Sequence, residues 1–296
     1  MSIIVDQNTR LIVQGITGRE GSFHTEQMLE YGTKIVAGVT PGKGGETVSG
    51  IPVFNTVREA MERTHANASV LFVPAKFTAS SVKEAIEAGV PTIVTIAEHV
   101  PVLDMLACYH LARARNLKLY GPNSFGIISP GKSKVGFMAH KIFSAGHVGV
   151  LSRSATNCYE TVFMLTENGI GQSTCVGVGG DMIPGSTFVD ILPELMADND
   201  TSLVIIIGEI GGNEEELAAA YIRANPLKPV IALIAGKNAP KDQSMGHAGA
   251  IVGADGSGSA ENKENALRDA GVHIADSTEH VVDIVLKLKD EMDIRL

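Results

Sequence analysis

Apolar residues recur along this chain in two alternating patterns. Short runs such as "RLIVQG", "KIVAGV", "ASVLFV" and "PTIVTI" are nearly unbroken, and each is followed by a glycine, proline or polar turn. Runs of this length, rich in Val and Ile, suit strands buried on both faces. Between them, "SFHTEQMLEYG", "TVREAMERTHA", "ASSVKEAIEAGV" and "PVLDMLACYHLARARN" carry apolar groups three and four apart. That spacing gathers the apolar groups into one stripe of a helix. The alternation predicts an open parallel sheet with helices on both faces, ending in a short strand at "KLYGPNS".

The pattern lapses in "GIISPGKSKVGFMAHKIFSAG", where Pro, Gly and Lys leave no clear period. It restarts with a strand at "HVGVLS", a helix from about Thr156, a strand at "STCVGVGG" and a helix at "FVDILPELMAD". A strand at "SLVIIIGEIGG", a helix at "EEELAAAYIRAN", strands at "PVIALIAG" and "VHIAD" and a helix at "EHVVDIVLKLKDEM" follow. The expected organisation is two doubly wound α/β domains, residues 1–128 and 147–296, joined by a linker over 129–146. A length of 296 residues suits two domains, and 44% hydrophobic residues suffice for a core in each.

Charge narrows the function classes. The net charge is −9 with no basic stripe, so nucleic-acid binding has no electrostatic footprint. An anionic ligand would need local donors such as helix N-termini or isolated lysines. No apolar run approaches a membrane span, and the N-terminus lacks a signal-peptide pattern, so a cytoplasmic protein is expected. Cys108, Cys158 and Cys175 fit no metal or CxxC spacing and are read as free thiols, with no metal site.

Two glycine-rich turns carry candidate chemistry. "QGITGREG" places Gly15, Gly18 and Gly21 between the first strand and first helix, where backbone N–H groups can approach a phosphate. A dinucleotide site usually has an acidic residue after the second strand, for the ribose. Here that position reads "GVTPGKGG", with Lys43 and no carboxylate, which suits a nucleotide with an extra phosphate, coenzyme A or NADP. Glu98, after a later strand in "TIAEHV", is a further candidate contact, with a solvated helix-cap neighbour as the plainer reading.

In the second half, "LSRSATNCYE" places Ser154 or Thr156 as a helix cap, with N–H groups near Ala155 available to an anion. "IIIGEIGG" ends a buried strand in Glu209, a costly place for a carboxylate without a partner. The proposed partner is His247 of "SMGHAGAIVG", a histidine flanked only by small residues. A carboxylate on one ring nitrogen fixes the tautomer and leaves the other nitrogen nucleophilic, so the pair can accept a phosphoryl group. The plainer reading of His247 is a surface loop histidine.

Taken together, "QGITGREGSFH", "GVTPGKGG", "PVFNTVREA", "GPN", "GQSTCVGVGGD", "GEIGG" and "MGHAGAI" closely resemble the α subunits of succinate–CoA ligases (succinyl-CoA synthetases), in order and nearly end to end. The resemblance implies a Rossmann-like CoA-binding domain followed by a flavodoxin-like ligase domain. It implies coenzyme A binding by Thr17, Gly18, Arg19, Glu20, Lys43, Ile96, Ala97 and Glu98. It makes His247 the phosphorylated residue, oriented by Glu209, with phosphate held at Ser154 and Ala155 and Tyr159 near a small carboxylic acid. It also implies a β subunit, as αβ or α2β2, whose ATP-grasp domain would bind ATP or GTP with Mg. This chain has no Walker pattern of its own.

Two segments depart from the family pattern. Ser124-Phe125 stands where the family usually has Cys-Pro, and "SRSATNCYE" where it usually has Ser-Arg-Ser-Gly-Thr-Leu-Thr-Tyr-Glu. Ala155 adds a methyl beside the expected phosphate and Asn157 a donor, so a related acid such as malate is an alternative substrate. A non-catalytic CoA-binding subunit is a further alternative. An NAD(P)-dependent oxidoreductase is disfavoured by the missing acidic residue after "KIVAGV".

Overall fold

A computed structural model describes residues 3–240, 245–292 and 294–296. The first sheet is built from β1 (Arg10–Gln14), β2 (Lys34–Val39), β3 (Thr47–Val48), β4 (Ile51–Phe54), β5 (Ala68–Leu71), β6 (Thr92–Thr95) and β7 (Lys118–Tyr120). Its helices are α1 (Arg19–Glu30), α2 (Val57–Thr64), α3 (Ala75–Glu87) and α4 (Val102–Ala114). The strand order is β3-β4-β2-β1-β5-β6-β7, parallel except for β3. The chain runs outward from β1 to one edge and then returns to β5, so the sheet has a switch point between β1 and β5, where a ligand crevice is expected.

The second sheet has the order β14-β13-β12-β10-β11-β8-β9. It comprises β8 (Gly126–Ser129), β9 (Ser133–Gly136), β10 (Ala145–Ser152), β11 (Gln172–Gly177), β12 (Leu203–Glu209), β13 (Val230–Ala235) and β14 (His273–Ala275). Its helices are α5 (Ala155–Glu167), α6 (Phe188–Ala197), α7 (Glu214–Ala224), α8 (Ala260–Asp269) and α9 (Thr278–Met292). Strands β10 to β14 run parallel, and β8 and β9 run antiparallel at one edge. Here the switch point lies at β10, between β11 and β12. The two doubly wound domains expected from the alternation are therefore present.

Three details correct the sequence reading. The border placed at 128 cuts β8, and the segment taken as a linker, 129–146, contains β9 and the start of β10. Ile127 pairs with Val176 on one side and Val135 on the other. Buried Ile127, Ile128 and Val135 cover the otherwise open edge of β11, which is why this stretch is strand despite its Pro and Lys. Second, Thr47–Phe54 forms a hairpin across Ser49 and Gly50, both at positive φ, as a two-residue hairpin turn requires. Third, α8 escaped periodicity because only Ala260, Lys263 and Leu267 are buried on a polar helix.

The glycine turn after β1 is set by steric crowding. Gly15 has φ +76°, and a Cβ there would sit 2.4 Å from the Phe72 carbonyl oxygen. A Cβ on Gly21 would lie 2.1 Å from the Gly15 carbonyl oxygen. The turn thus packs backbone against backbone, and α1 starts directly from it. Among the described residues no helix is long and apolar enough to cross a membrane. Gly15→Ala should lower the unfolding free energy by about 2 kcal/mol through overpacking and the left-handed φ. Urea unfolding followed by circular dichroism checks this; an unchanged midpoint would contradict the crowding.

Candidate active site

The crevice of the second sheet gathers the ends of β10 and β12. All seven residues of β12 are buried, so Glu209 is carried out of the core at only 6% exposure. Its carboxylate accepts a hydrogen bond from His247 Nδ1 at 2.6 Å. Arg153, equally buried just beyond β10, brings its Nη2 to 3.2 Å from the other Glu209 oxygen. Two partners thus offset the cost of burying the charge. A carboxylate can only accept, so Nδ1 carries the proton and Nε2 keeps its lone pair. The His247 side chain is 27% exposed, enough for Nε2 to meet a reactant.

Glycine makes room for this ring. A Cβ on Gly180 would lie 2.5 Å from the imidazole. Backbone bonds stitch the surrounding loops together: Gly249 N–H donates to the Gly180 carbonyl at 3.4 Å, and Gly180 N–H to the Asn123 carbonyl at 3.3 Å. The hydrogen bond to Glu209 raises the His247 pKa above its ordinary value, burial opposes this, and the Glu209 charge adds to the rise. Arg153 pulls it down and buried Asp181 pushes it up.

Behind Glu209 lies a second charged layer. Glu215 on α7 accepts from the Glu209 backbone N–H at 3.1 Å through one oxygen and from the Lys263 ammonium through the other. Both side chains are fully buried. A Cβ on Gly208 would meet Glu215 Oε1 at 2.5 Å, so this glycine is what admits the carboxylate. The pair ties β12, α7 and α8 together directly beneath the site.

Of the two helix caps offered by the sequence, Ser154 and Thr156, the structure uses Ser154. Ser154 caps α5, its Oγ accepting from Asn157 N–H at 3.3 Å, so the N-terminal N–H groups near Ala155 face the crevice end of the sheet. Tyr159 stands apart from the His247 pair: its ring packs edge-on against Phe125 and Phe143, with centroids 5.7 and 6.4 Å away. Burial pushes its phenol pKa up. Cys158 is buried with its Sγ 3.3 Å from that of Cys175, a packing role. All three cysteines are free.

At the first sheet's crevice, Gly18 caps α1 without a side-chain acceptor, leaving its N-terminal N–H groups open. Gly18, Arg19, Glu20, Ile96 and Ala97 line one groove of about 400 Å³ together with Phe72 and Pro74. Thr17 donates to Thr40 at 3.1 Å, on the loop after β2. A second cavity of about 340 Å³ opens beside it between Gly15, Pro41, Phe77 and Glu84. Lys43 and Glu98 are not in these walls. Lys43 pairs with Glu46 at 2.9 Å, and exposed Glu98 lies 3.9 Å from His99.

The two crevices meet. Asn123 N–H donates to the Ala97 carbonyl at 2.9 Å while its own carbonyl accepts from Gly180. Val100 N–H donates to Asp181 at 3.3 Å, and a cavity of about 220 Å³ beside them reaches Ala248. Arg153, Asn123, Gly180 and Asp181 were not singled out from sequence, although "SRS" after a strand and "GGD" offered a signal.

A family model for a CoA binding domain matches residues 6–99, and one for CoA-ligase matches residues 151–273. The α subunit of ADP-forming succinate–CoA ligase from Staphylococcus aureus strain Mu50 is 49% identical over 294 residues, covering 99% of this chain and 97% of that one. The chain belongs to the succinate–CoA ligase α-subunit family. The Staphylococcus epidermidis member (strain ATCC 12228) is 50% identical over 281 residues, 95% of this chain and 93% of its own. The fold is shared more widely. ATP citrate lyase from Methanothrix soehngenii superposes with a TM-score of 0.87 at 22% identity, over 99% of this chain and 52% of that one. Acetyl-coenzyme A synthetase 1 from Ca. Korarchaeum cryptofilum gives 0.73 at 21%, over 92% and 59%.

Two outcomes follow from the geometry. The His247 imidazole should titrate above its ordinary value of about 6.5 by NMR, and Glu209→Gln should lower it, because the charge that favours imidazolium is gone while burial remains. An unchanged titration in the variant would refute the assigned cause. Lys263→Met leaves Glu215 buried and unpaired and should cost about 3 kcal/mol in denaturant unfolding.

Proposed function

We propose that this chain is the phosphate-carrying and CoA-binding subunit of a ligase that interconverts succinate, CoA and a nucleoside triphosphate with succinyl-CoA, the diphosphate and phosphate. The observation that carries this reading is the 2.6 Å bond from His247 to buried Glu209, in a crevice that adjoins a phosphate-suited glycine turn on the same chain. A β subunit with an ATP-grasp domain would supply ATP or GTP with Mg, in an αβ or α2β2 assembly in the cytoplasm. Residues 1–128 would act chiefly in CoA binding and 147–296 in phosphoryl transfer.

The chemistry follows from the residues. His247 Nε2 attacks the terminal phosphorus of the nucleotide, and the diphosphate leaves. Glu209 keeps the proton on Nδ1 and offsets the positive charge that grows on the ring. The N–H groups at the start of α5, near Ser154 and Ala155, stabilise the phosphoryl oxygens. A carboxylate oxygen of the acid then attacks phosphorus and the N–P bond breaks, giving an acyl phosphate. The CoA thiolate adds to its carbonyl carbon, and the C–O bond to phosphate breaks. Gly18 and the open terminus of α1 hold the CoA phosphates, with Thr17, Arg19, Glu20, Ile96 and Ala97 along the groove. Lys43 and Glu98, on exposed loops, would turn in on binding. Tyr159 would border the acid.

Phe125 against Tyr159 bears on which acid is used. Its ring fills space beside Gly177, and Ser124 Oγ donates to the Gly177 carbonyl at 2.6 Å. A hydroxylated acid such as malate is the second reading, since Asn157 in the first turn of α5 adds a donor that a hydroxyl could use.

The test uses the complex with its β partner, assayed across a panel of acids. Succinate should be the best substrate, with His247→Asn inactive and without acid-labile phosphate. Glu209→Gln should lose about 10- to 100-fold in kcat. Phosphorylation needs the neutral ring, so its rate should fall as pH drops through the raised His247 pKa, and in Glu209→Gln this limb should move to lower pH. Preference for malate would favour the second reading. CoA binding without phosphorylation of His247 would leave a non-catalytic subunit.

A further inference from the structure

We propose that the cleft between α1 and the segment following β9 is a binding site for a small organic carboxylate, separate from the CoA groove and from His247. The cleft holds about 300 Å³, with Phe23, His24, Lys134, Phe137, Met138 and His140 in its walls. None of its lining residues is shared with the CoA groove or the cavity beside Ala248.

Its defining group is Lys134. This lysine lies within β9 at 1% exposure, its ammonium donating to the Met138 carbonyl at 3.1 Å and to His140 Nδ1 at 3.2 Å. The carboxylate that acts on it electrostatically is Glu30, which is engaged instead by Gln27 at 3.3 Å. Among the described residues no carboxylate forms an ion pair with it, and burying an ammonium without one costs several kcal/mol, so the position favours a bound anion. Burial brings Lys134 down only to about 8, so it remains charged at neutral pH.

The donors define the class of anion. An ammonium can only donate, so His140 Nδ1 accepts and its Nε2 carries the proton. Burial and Lys134 both lower the His140 pKa, which keeps the ring in this neutral form. The third ammonium N–H and the imidazole N–H then make two donors, a match for the two oxygens of one carboxylate. Phe23, 55% exposed, and the half-buried Phe137 supply apolar surface for an organic body. A phosphate, with three or more oxygens to satisfy and no apolar part, fits these walls less well.

The test titrates the full chain, labelled on methionine methyls, with butanoate and separately with inorganic phosphate. The Met138 methyl should shift saturably with butanoate, equally in wild type and in His247→Asn. The affinity should fall at least about tenfold in Lys134→Met and in His140→Phe, and phosphate should bind at least about tenfold more weakly than butanoate. His140 is partly exposed at a turn, so its variant decides the matter should Lys134→Met not fold. Absence of a saturable shift up to about 50 mM butanoate, a range that reaches far weaker than millimolar binding, overturns the site. Unchanged affinity in the variants overturns the assigned donors, and phosphate binding as tightly as butanoate overturns the carboxylate class.

Discussion

The arrangement of this molecule turns on one buried charge. Glu209 leaves the sheet core at the end of a strand with no exposed residue, and a carboxylate there is tolerable only with partners on both oxygens. Arg153 and His247 are those partners. The constraint works in both directions: the carboxylate needs the imidazole N–H, and the imidazole acquires a fixed tautomer from the carboxylate. Gly180 withholds a side chain where the ring must lie, and Gly208 withholds one where Glu215 must reach. The glycines around the site are therefore spatial requirements, set by neighbouring atoms.

The two crevices adjoin because both switch points open toward the same seam. Asn123, between the last strand of the first sheet and the first strand of the second, bonds to residue 97 on one side and residue 180 on the other. In the proposed mechanism, a group handed from His247 to an acid and then met by a thiol needs those two neighbourhoods in contact. Helix starts stand at each, α1 without a side-chain cap and α5 capped by Ser154. An acidic protein thereby presents localised positive potential where anions must be held.

Much of the fold was legible in the chain's alternation of apolar runs, because strands buried on both faces cannot be disguised. The segment 129–146 was misjudged for a physical reason: β8 and β9 are only four residues each, and buried Ser129, Ser133 and Lys134 interrupt the apolar run that marks a longer central strand. Helix α8 was invisible because its buried face includes a lysine, whose inward position makes sense only once Glu215 is seen opposite it. Lys43 and Glu98 were named from their loops, and loop residues take their final positions from a ligand as much as from the backbone.

The sequence by itself determined most of the strand–helix order, the glycine turns after β1 and around His247, and the need of Glu209 for a partner, since a carboxylate ending a buried strand demands one. Tertiary structure decided the remaining company. Arg153 on Glu209 and Lys263 on Glu215 beneath it are contacts between segments far apart in the chain. Local periodicity reports which face of an element is buried. It carries no information on which distant element covers that face, because that follows from how the two sheets and their helices pack, and only packing sets the dielectric and the donors each charge meets.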